Sequence, residues 1–325
     1  MIPLLDSWKL ILRNNFTDWK KLADFLELTE VQRNQIFKKP GFVLNLPVRL
    51  AQKIQKGTLD DPVLKQFLPT IEEEIKTFKF RLDPVGDQGC RESPKLLHKY
   101  EGRVLLVCTS ACAMHCRYCF RQNFDYDTVN KGFAEEIALI AADASIKEVI
   151  LSGGDPLSLP DSALEALLGQ IASTPHVKRI RFHTRFPVGI PERIDEALLN
   201  MLKACPQQIW FVLHINHVLE LDDDVIRAIK RLQQSGVAVL NQSVLLKGVN
   251  DDVDTLVELS EKLVDCGVLP YYLHQLDQVQ GAAHFEVSVE EGRALIREMT
   301  KRVSGYAVPK YVSEIAGEAS KTALM

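Results

Sequence analysis

The chain is poor in the features that mark export, membrane insertion or nucleic-acid binding. Its opening residues, Met1-Ile-Pro-Leu-Leu-Asp-Ser-Trp-Lys, lack a basic start and a long apolar core, so no secretory leader is expected. No apolar run approaches the roughly 20 residues of a bilayer span, so no membrane association is expected. Neither sign of charge dominates: the formal net charge is −4 over 325 residues, which offers no basic surface for nucleic acid. Disulfide logic is missing as well. The seven cysteines are an odd number, and three crowd into one stretch, as expected in a reducing cytoplasm. With 46% hydrophobic and 25% charged residues, the composition is that of a globular protein with room for one large domain plus a small one.

What is present is concentrated in Cys112-Ala-Met-His-Cys116-Arg-Tyr-Cys119. Three thiolates at this CxxxCxxC spacing can hold three irons of a [4Fe–4S] cube and leave the fourth iron open to a substrate or cofactor. Two plainer readings stand beside it. One is a zinc site with His115 or Cys108 as fourth ligand; the other is a coincidence of buried cysteines. Cys108 lies inside an expected strand and reads as core.

Residues 1–95 read as helical and polar. Trp19, Leu22, Phe25 and Leu26 recur at helical spacing behind Thr17 as N-cap. Residues 82–90 read as a loop. Apolar, β-branched runs then appear at 104–109, 148–152, 179–183, 209–214, 238–244 and 270–276, with helical stretches at 162–172, 191–202, 222–233 and 253–265 between them. From the second run onward the spacing is about 30 residues, one strand–helix unit. The expected fold is therefore α/β: a partial (β/α)6 barrel over 96–305, since six units fall short of the eight that close a barrel. An N-terminal helical region (1–95) precedes it, and a short C-terminal strand segment (306–325) follows. Chemistry is expected at the C-terminal strand ends, and the cysteine run falls in the loop after the first of these strands.

Ser152-Gly153-Gly154-Asp155-Pro156-Leu157 ends the second strand. Its glycines permit close backbone approach, with free N–H and C=O groups for a small polar ligand; a plain tight turn is the alternative. Lys321, close to the end, reads by itself as a solvated tail lysine.

A CxxxCxxC run followed by an aromatic, here Phe120, resembles the radical S-adenosylmethionine enzymes. Further motifs extend the resemblance, in order, from about residue 60: Arg121-Gln-Asn-Phe124, Ser152 to Leu157, His214-Ile-Asn-His217, Leu240-Asn-Gln-Ser-Val-Leu-Leu-Lys247, Pro270-Tyr-Tyr-Leu-His-Gln-Leu-Asp277 and Gly281-Ala-Ala-His-Phe285. Together they resemble the lysine 2,3-aminomutases. Leu96-Leu-His-Lys-Tyr100 and Gly305-Tyr-Ala-Val-Pro-Lys310 resemble the short bacterial members that make β-lysine for modification of elongation factor P.

The resemblance implies an isomerase that uses a [4Fe–4S] cluster, S-adenosylmethionine and pyridoxal 5′-phosphate to convert L-lysine to β-lysine, the (R) isomer in the short subgroup. It implies Cys112, Cys116 and Cys119 on the cluster, and Gly153, Gly154 and Asp155 holding the amino group of the bound methionine. Lys321 would form the Schiff base with pyridoxal phosphate, behind a turn in which three family glycines are here Glu318, Ala319 and Ser320. Arg103 and Lys99 would meet the cofactor phosphate, and His214 and Gln242 would line the pocket. Arg121 would grip the substrate carboxylate, and Asp277 would hold the ε-ammonium, with Glu314 beside it where longer members have aspartate. Implied partners are an electron donor such as flavodoxin or ferredoxin and a ligase that places the product on elongation factor P. The longer members continue past the lysine into an oligomerisation tail; with the chain stopping at Met325, their tetramer is not expected here. Rival readings are a glutamate-type aminomutase, a methylthiolating enzyme, and a non-enzymatic iron–sulfur protein.

Overall fold

The computed structural model describes residues 7–127, 129–130 and 132–325; residues 1–6, read above for a leader, lie outside them. Among the described residues, ten strands form one open sheet in chain order. They are β1 (Arg91–Ser93), β2 (Leu96–Tyr100), β3 (Arg103–Thr109), β4 (Glu148–Gly153), β5 (Arg179–Thr184), β6 (Gln208–His214), β7 (Ala238–Val244), β8 (Leu269–His274), β9 (Lys310–Ser313) and β10 (Thr322–Ala323). Neighbours from β3 to β9 are parallel. Antiparallel pairings of β1, β2 and β3 finish one edge, and β9 with β10 finishes the other.

Strand β5, Arg-Ile-Arg-Phe-His-Thr, shows why the sheet curls around a polar interior. Its period of two sends Ile180 and Phe182 outward, where both are buried, and Arg179, Arg181 and His183 inward to a cavity. Helices Ala134–Ala142, Asp161–Ala172, Glu196–Ala204, Asp223–Gln234, Val253–Asp265 and Val289–Arg302 follow β3 to β8 in turn and cover the apolar outer face. Four of them start on the same device. The side chains of Asp195, Asp222, Asp252 and Ser288 each accept the backbone N–H three residues on, a cap of about 1 kcal/mol.

The six expected strands are present, and β9 adds a seventh parallel one. It docks because Gly292 leaves a gap in its helix: a Cβ there would sit 2.1 Å from the Tyr311 hydroxyl. Tyr311 is fully buried and bonds Gln275. Glycine costs a helix about 1 kcal/mol against alanine, and here it admits the strand that precedes Glu314 and Lys321.

The N-terminal stretch is less helical than its composition implies. Its helices are short (Ser7–Arg13, Trp19–Phe25, Glu30–Arg33, Val48–Ala51, Pro62–Lys65), and Arg91–Ser93 already belongs to the sheet. The cap of Trp19–Phe25 is Asp18, whose carboxylate accepts Lys20 N–H, and not Thr17. Leu22, Leu26, Leu46, Leu50, Leu64 and Phe67 are buried in the same apolar cluster as the barrel's outer residues, so this stretch has no core of its own. No described helix is long and apolar enough to cross a membrane.

Candidate active site

A cavity of about 1030 Å³ follows the inner face of the barrel and reaches from the cysteine loop to Arg103 at the start of β3. Every site residue expected from the sequence lines it.

The cysteine loop is clamped from the N-terminal side. Asn45 donates to Cys112 O (3.1 Å) and Asn15 to Ala113 O (2.7 Å). His115 donates its N–H to Asn45 O (2.9 Å) and its Nδ1–H to Val43 O (2.8 Å), and its ring stacks on Phe42 at 4.6 Å. Fully buried Arg117 bonds Glu73 (Nε, 2.7 Å) and Phe42 O (2.6 Å). Residues 1–95 carry no readable chemical motif; the described part of them supplies this brace and, deeper in the cavity, Asp87.

Two of the three thiols are shifted by burial and by the cysteines beside them. Burial and Cys116 push Cys119 up to about 12; burial, Asp155 and the other two cysteines push Cys112 well above the ordinary thiol range. Left alone, Cys112 and Cys119 would be thiols; as ligands they need positive charge beside them. Among the described residues, no three Cys, His, Asp or Glu side chains converge on a single metal ion. A cubane does not ask for convergence, because each cysteine binds a different iron. The donor set therefore fits such a cluster.

The glycine turn closes directly over this loop. Gly153 has φ +115°, and a Cβ there would lie 2.8 Å from Thr109 O. At Gly154 it would lie 2.3 Å from Ala111 O. The sequence suggested free N–H groups, but Gly154 N–H is given to Thr109 O (2.6 Å) and Asp155 N–H to Ala111 O (2.8 Å). Asp155 is likewise spent: its carboxylate accepts Thr184 Oγ1 (2.8 Å) and the N–H groups of Leu157, Arg185 and Phe186. It pins the end of β5 to the turn and has little left for a methionine. Gly154→Ala should therefore cost at least about 1–3 kcal/mol and lower iron uptake, since the obstacle is backbone; thermal melting and iron analysis check both.

Across the cavity runs a chain of alternating charge. Arg121 Nε donates to Asp87 (2.7 Å) and Nη1 to Ser152 Oγ (3.2 Å). Lys99 bonds Asp87 (2.7 Å), Glu314 (3.2 Å) and Val85 O (2.9 Å). Glu314 also pairs with Lys321. Burial works against both carboxylates, but Arg121 and Lys99 hold Asp87 below its usual range, and Lys321 and Lys99 bring Glu314 down to about 2. Asp277 differs. It accepts no side-chain hydrogen bond from the described residues, and burial, only partly offset by Lys321, pushes it up to about 7.

Comparison with known proteins shows what this arrangement belongs to. A family model described as the Radical SAM superfamily matches residues 106–260. An L-lysine 2,3-aminomutase of Escherichia coli (strain K12) is 43% identical over 99% of this chain and 95% of its own length. One from Clostridium subterminale is 35% identical over 98% of this chain and 78% of its own. The chain belongs to the L-lysine 2,3-aminomutase family. A radical SAM methyltransferase structure from Sphaerobacter thermophilus, 19% identical with a TM-score of 0.50 over 67% of this chain and 68% of that one, shares the fold.

Aminomutases of this family use a [4Fe–4S] cluster, S-adenosylmethionine and pyridoxal phosphate, and the inner wall fits the last of these. Among the described residues Arg103 has no acidic ion-pair partner; its guanidinium lies over the Tyr100 ring at 4.6 Å, open to a phosphate. Lys99, expected on the same phosphate, is held by three protein acceptors, Asp87, Glu314 and Val85 O. His214 touches the Tyr118 hydroxyl (3.2 Å), and burial, with Arg185 and His274, keeps it neutral. Gln242 lies between His214 and Tyr272 in strand register.

Asp87, Arg181, Arg185 and His274 were missed in the sequence. Burial, reinforced by Lys321, pushes His274 down to about 3, so it stays neutral beside the cation. Arg181 pairs with Glu148 (2.7 Å). For Arg181 and His274 the signal existed: both share the inward register of their strands. Asp87 sits in an irregular loop, where no periodicity points to a partner.

Proposed function

We propose that this protein moves the α-amino group of free L-lysine to Cβ, yielding (R)-β-lysine for attachment to elongation factor P. The observation that carries the substrate reading is Asp277: a cavity-facing carboxyl that accepts no side-chain hydrogen bond from the described residues, in the same cavity as a pre-set arginine.

When bound, the cluster with S-adenosylmethionine supplies radical hydrogen abstraction, and pyridoxal phosphate supplies electron delocalisation at the amino nitrogen. Cys112, Cys116 and Cys119 hold the cluster, and Lys321 anchors pyridoxal phosphate, with Arg103 on its phosphate and His214 and Gln242 along the wall. Asp87 and Ser152 fix Arg121 through Nε and Nη1, leaving Nη2 for the substrate carboxylate. Asp277 takes the ε-ammonium. Glu314 holds the Lys321 ammonium until that lysine engages the cofactor, and is then available to the substrate's. A glutamate-type substrate would need a cation where Asp277 stands.

The subgroup motifs at 96–100 and 305–310, and the 95% coverage of the short Escherichia coli relative, support the elongation factor P assignment, a ligase as recipient, a flavodoxin- or ferredoxin-type donor and a cytoplasmic location. Chiral analysis of the product from free L-lysine, under anaerobic reducing conditions, tests the reading. (R)-β-lysine is expected; turnover of protein-bound lysine alone would overturn it.

Asp277 gives the reaction a pH limb. With its carboxyl near 7, kcat/KM for lysine should rise about tenfold between pH 6 and pH 8, as the anion that binds ammonium forms. Asp277→Asn should flatten that limb and lower kcat/KM roughly 30- to several-thousand-fold, the equivalent of about 2–5 kcal/mol for a buried charged contact. Stability moves the other way. A carboxyl raised above its ordinary 3.8 loses stability as pH climbs toward 7, so the variant should gain melting temperature at pH 8 and not at pH 4.

A further inference from the structure

Behind the cysteine loop lies a polar network buried among apolar residues. Gln66, Asn216 and Glu220 are fully buried, and Tyr118 and Arg185 nearly so. Four separate segments supply them. Gln66 follows helix Pro62–Lys65, Tyr118 stands between Cys116 and Cys119, Arg185 follows β5, and Asn216 and Glu220 follow β6.

The centre is Arg185. A guanidinium facing a carboxylate ordinarily pairs through two parallel N–H groups. Here the fork is split. Nη2 donates to Glu220 Oε2 (2.6 Å) and Gln66 Oε1 (2.6 Å). Nη1 turns away and donates to Cys116 Sγ (2.9 Å) and the Tyr118 hydroxyl (2.5 Å). Nε is buried and has no partner among the described residues. Glu220 has other support: Oε1 accepts Asn216 N–H and His217 N–H at 3.0 Å each and Gln66 Nε2 at 3.3 Å. The ion pair therefore does not need the whole fork. Arg185 in turn is set from behind, where Asp155 accepts its backbone N–H (2.8 Å) and Phe67 lies under the guanidinium at 4.8 Å.

We propose that Arg185 is a positioning residue for the iron–sulfur cluster, and that its N–H donation to the Cys116 sulfur sets the potential at which the cluster accepts an electron. The inference rests on the cluster reading above. The physical basis is general: hydrogen bonds to cluster sulfurs and nearby positive charge favour the state with one more electron and raise the reduction potential. The step concerned takes one electron from an external one-electron donor and converts the 2+ cluster to the 1+ state, with no bond broken. Glu220 offsets part of the arginine charge, so the pair fixes the potential between two limits. This also gives the Asp of the glycine turn a purpose, since Asp155 holds the backbone that carries Arg185.

The test is the midpoint potential of the reconstituted full-length protein, followed by electron paramagnetic resonance and paired with iron and sulfide analysis. Arg185→Met should move the potential down. Arg185→Lys, whose single ammonium keeps Glu220 company but cannot also reach Cys116, should move it down by less. Glu220→Gln should move it up, because the arginine charge is then uncompensated. A scaffold role would give no such opposition of sign. Unchanged potentials in Arg185→Lys and Glu220→Gln with full iron content would overturn the proposal, as would shifts of the same sign. So would loss of iron from folded Arg185→Lys, which would make the arginine an assembly element only. Failure of the unsubstituted protein to bind a cluster would instead remove the cluster reading itself.

Discussion

Cys116→Ala should abolish the iron–sulfur absorbance and all turnover of lysine while leaving the fold in place. Removing one sulfur from a half-buried site costs about 1 kcal/mol, comparable to a small truncation in a core. The loop around it has independent support from Asn45, His115 and Arg117. Arg185 keeps Tyr118, Gln66 and Glu220, so no buried charge is stranded. Two cysteines then remain for a group that needs three. Iron and sulfide analysis after anaerobic reconstitution, beside a melting curve, separates lost ligation from lost structure. A variant that keeps both absorbance and activity would refute the cluster assignment.

Lys321→Ala should eliminate the covalent, borohydride-fixable attachment of pyridoxal phosphate and lower activity by at least about 10³-fold, the scale of a lost positioned catalytic group. The fold should again survive. Glu314 loses one partner but keeps Lys99 and Tyr100, so its carboxyl rises from about 2 toward the ordinary range without standing alone. Strand β10 begins one residue later and pairs with β9 through Thr322 and Ser313, which holds the tail. Peptide mapping after reduction is the measurement. Label recovered on the same peptide of the variant would show that another lysine carries the cofactor.

The barrel was readable because its signal is local. Runs such as Val104 to Val107 and Ile209 to Leu213 alternate or cluster apolar residues at a spacing that only strands under helices satisfy. The cysteine run was readable for the same reason, since three thiols lie within eight residues. The seventh strand was harder. Lys310–Ser313 is short, and its place beside β8 depends on a gap at Gly292 that no periodicity reveals. Two of the expected roles meet competition that the sequence does not show. Lys99 reads as a phosphate ligand until Asp87 and Glu314 are found within 3.2 Å of it. Asp155 reads as a ligand donor until Thr184 and three backbone amides are found to occupy its carboxylate. All of these partners but the Leu157 amide lie at least a dozen residues away.

By itself the sequence determined the chemistry available to this protein: three thiolates at fixed spacing, an arginine two residues past them, a glycine turn, and a lysine near the end. Those properties follow from residue identity and short-range spacing. The tertiary structure alone decided which of these groups are free. Hydrogen bonds and ion pairs are competed for across the fold, so Lys99 and Asp155 are engaged by protein partners, Asp277 accepts no side-chain hydrogen bond from the described residues, and Arg185 is turned toward the cysteine run.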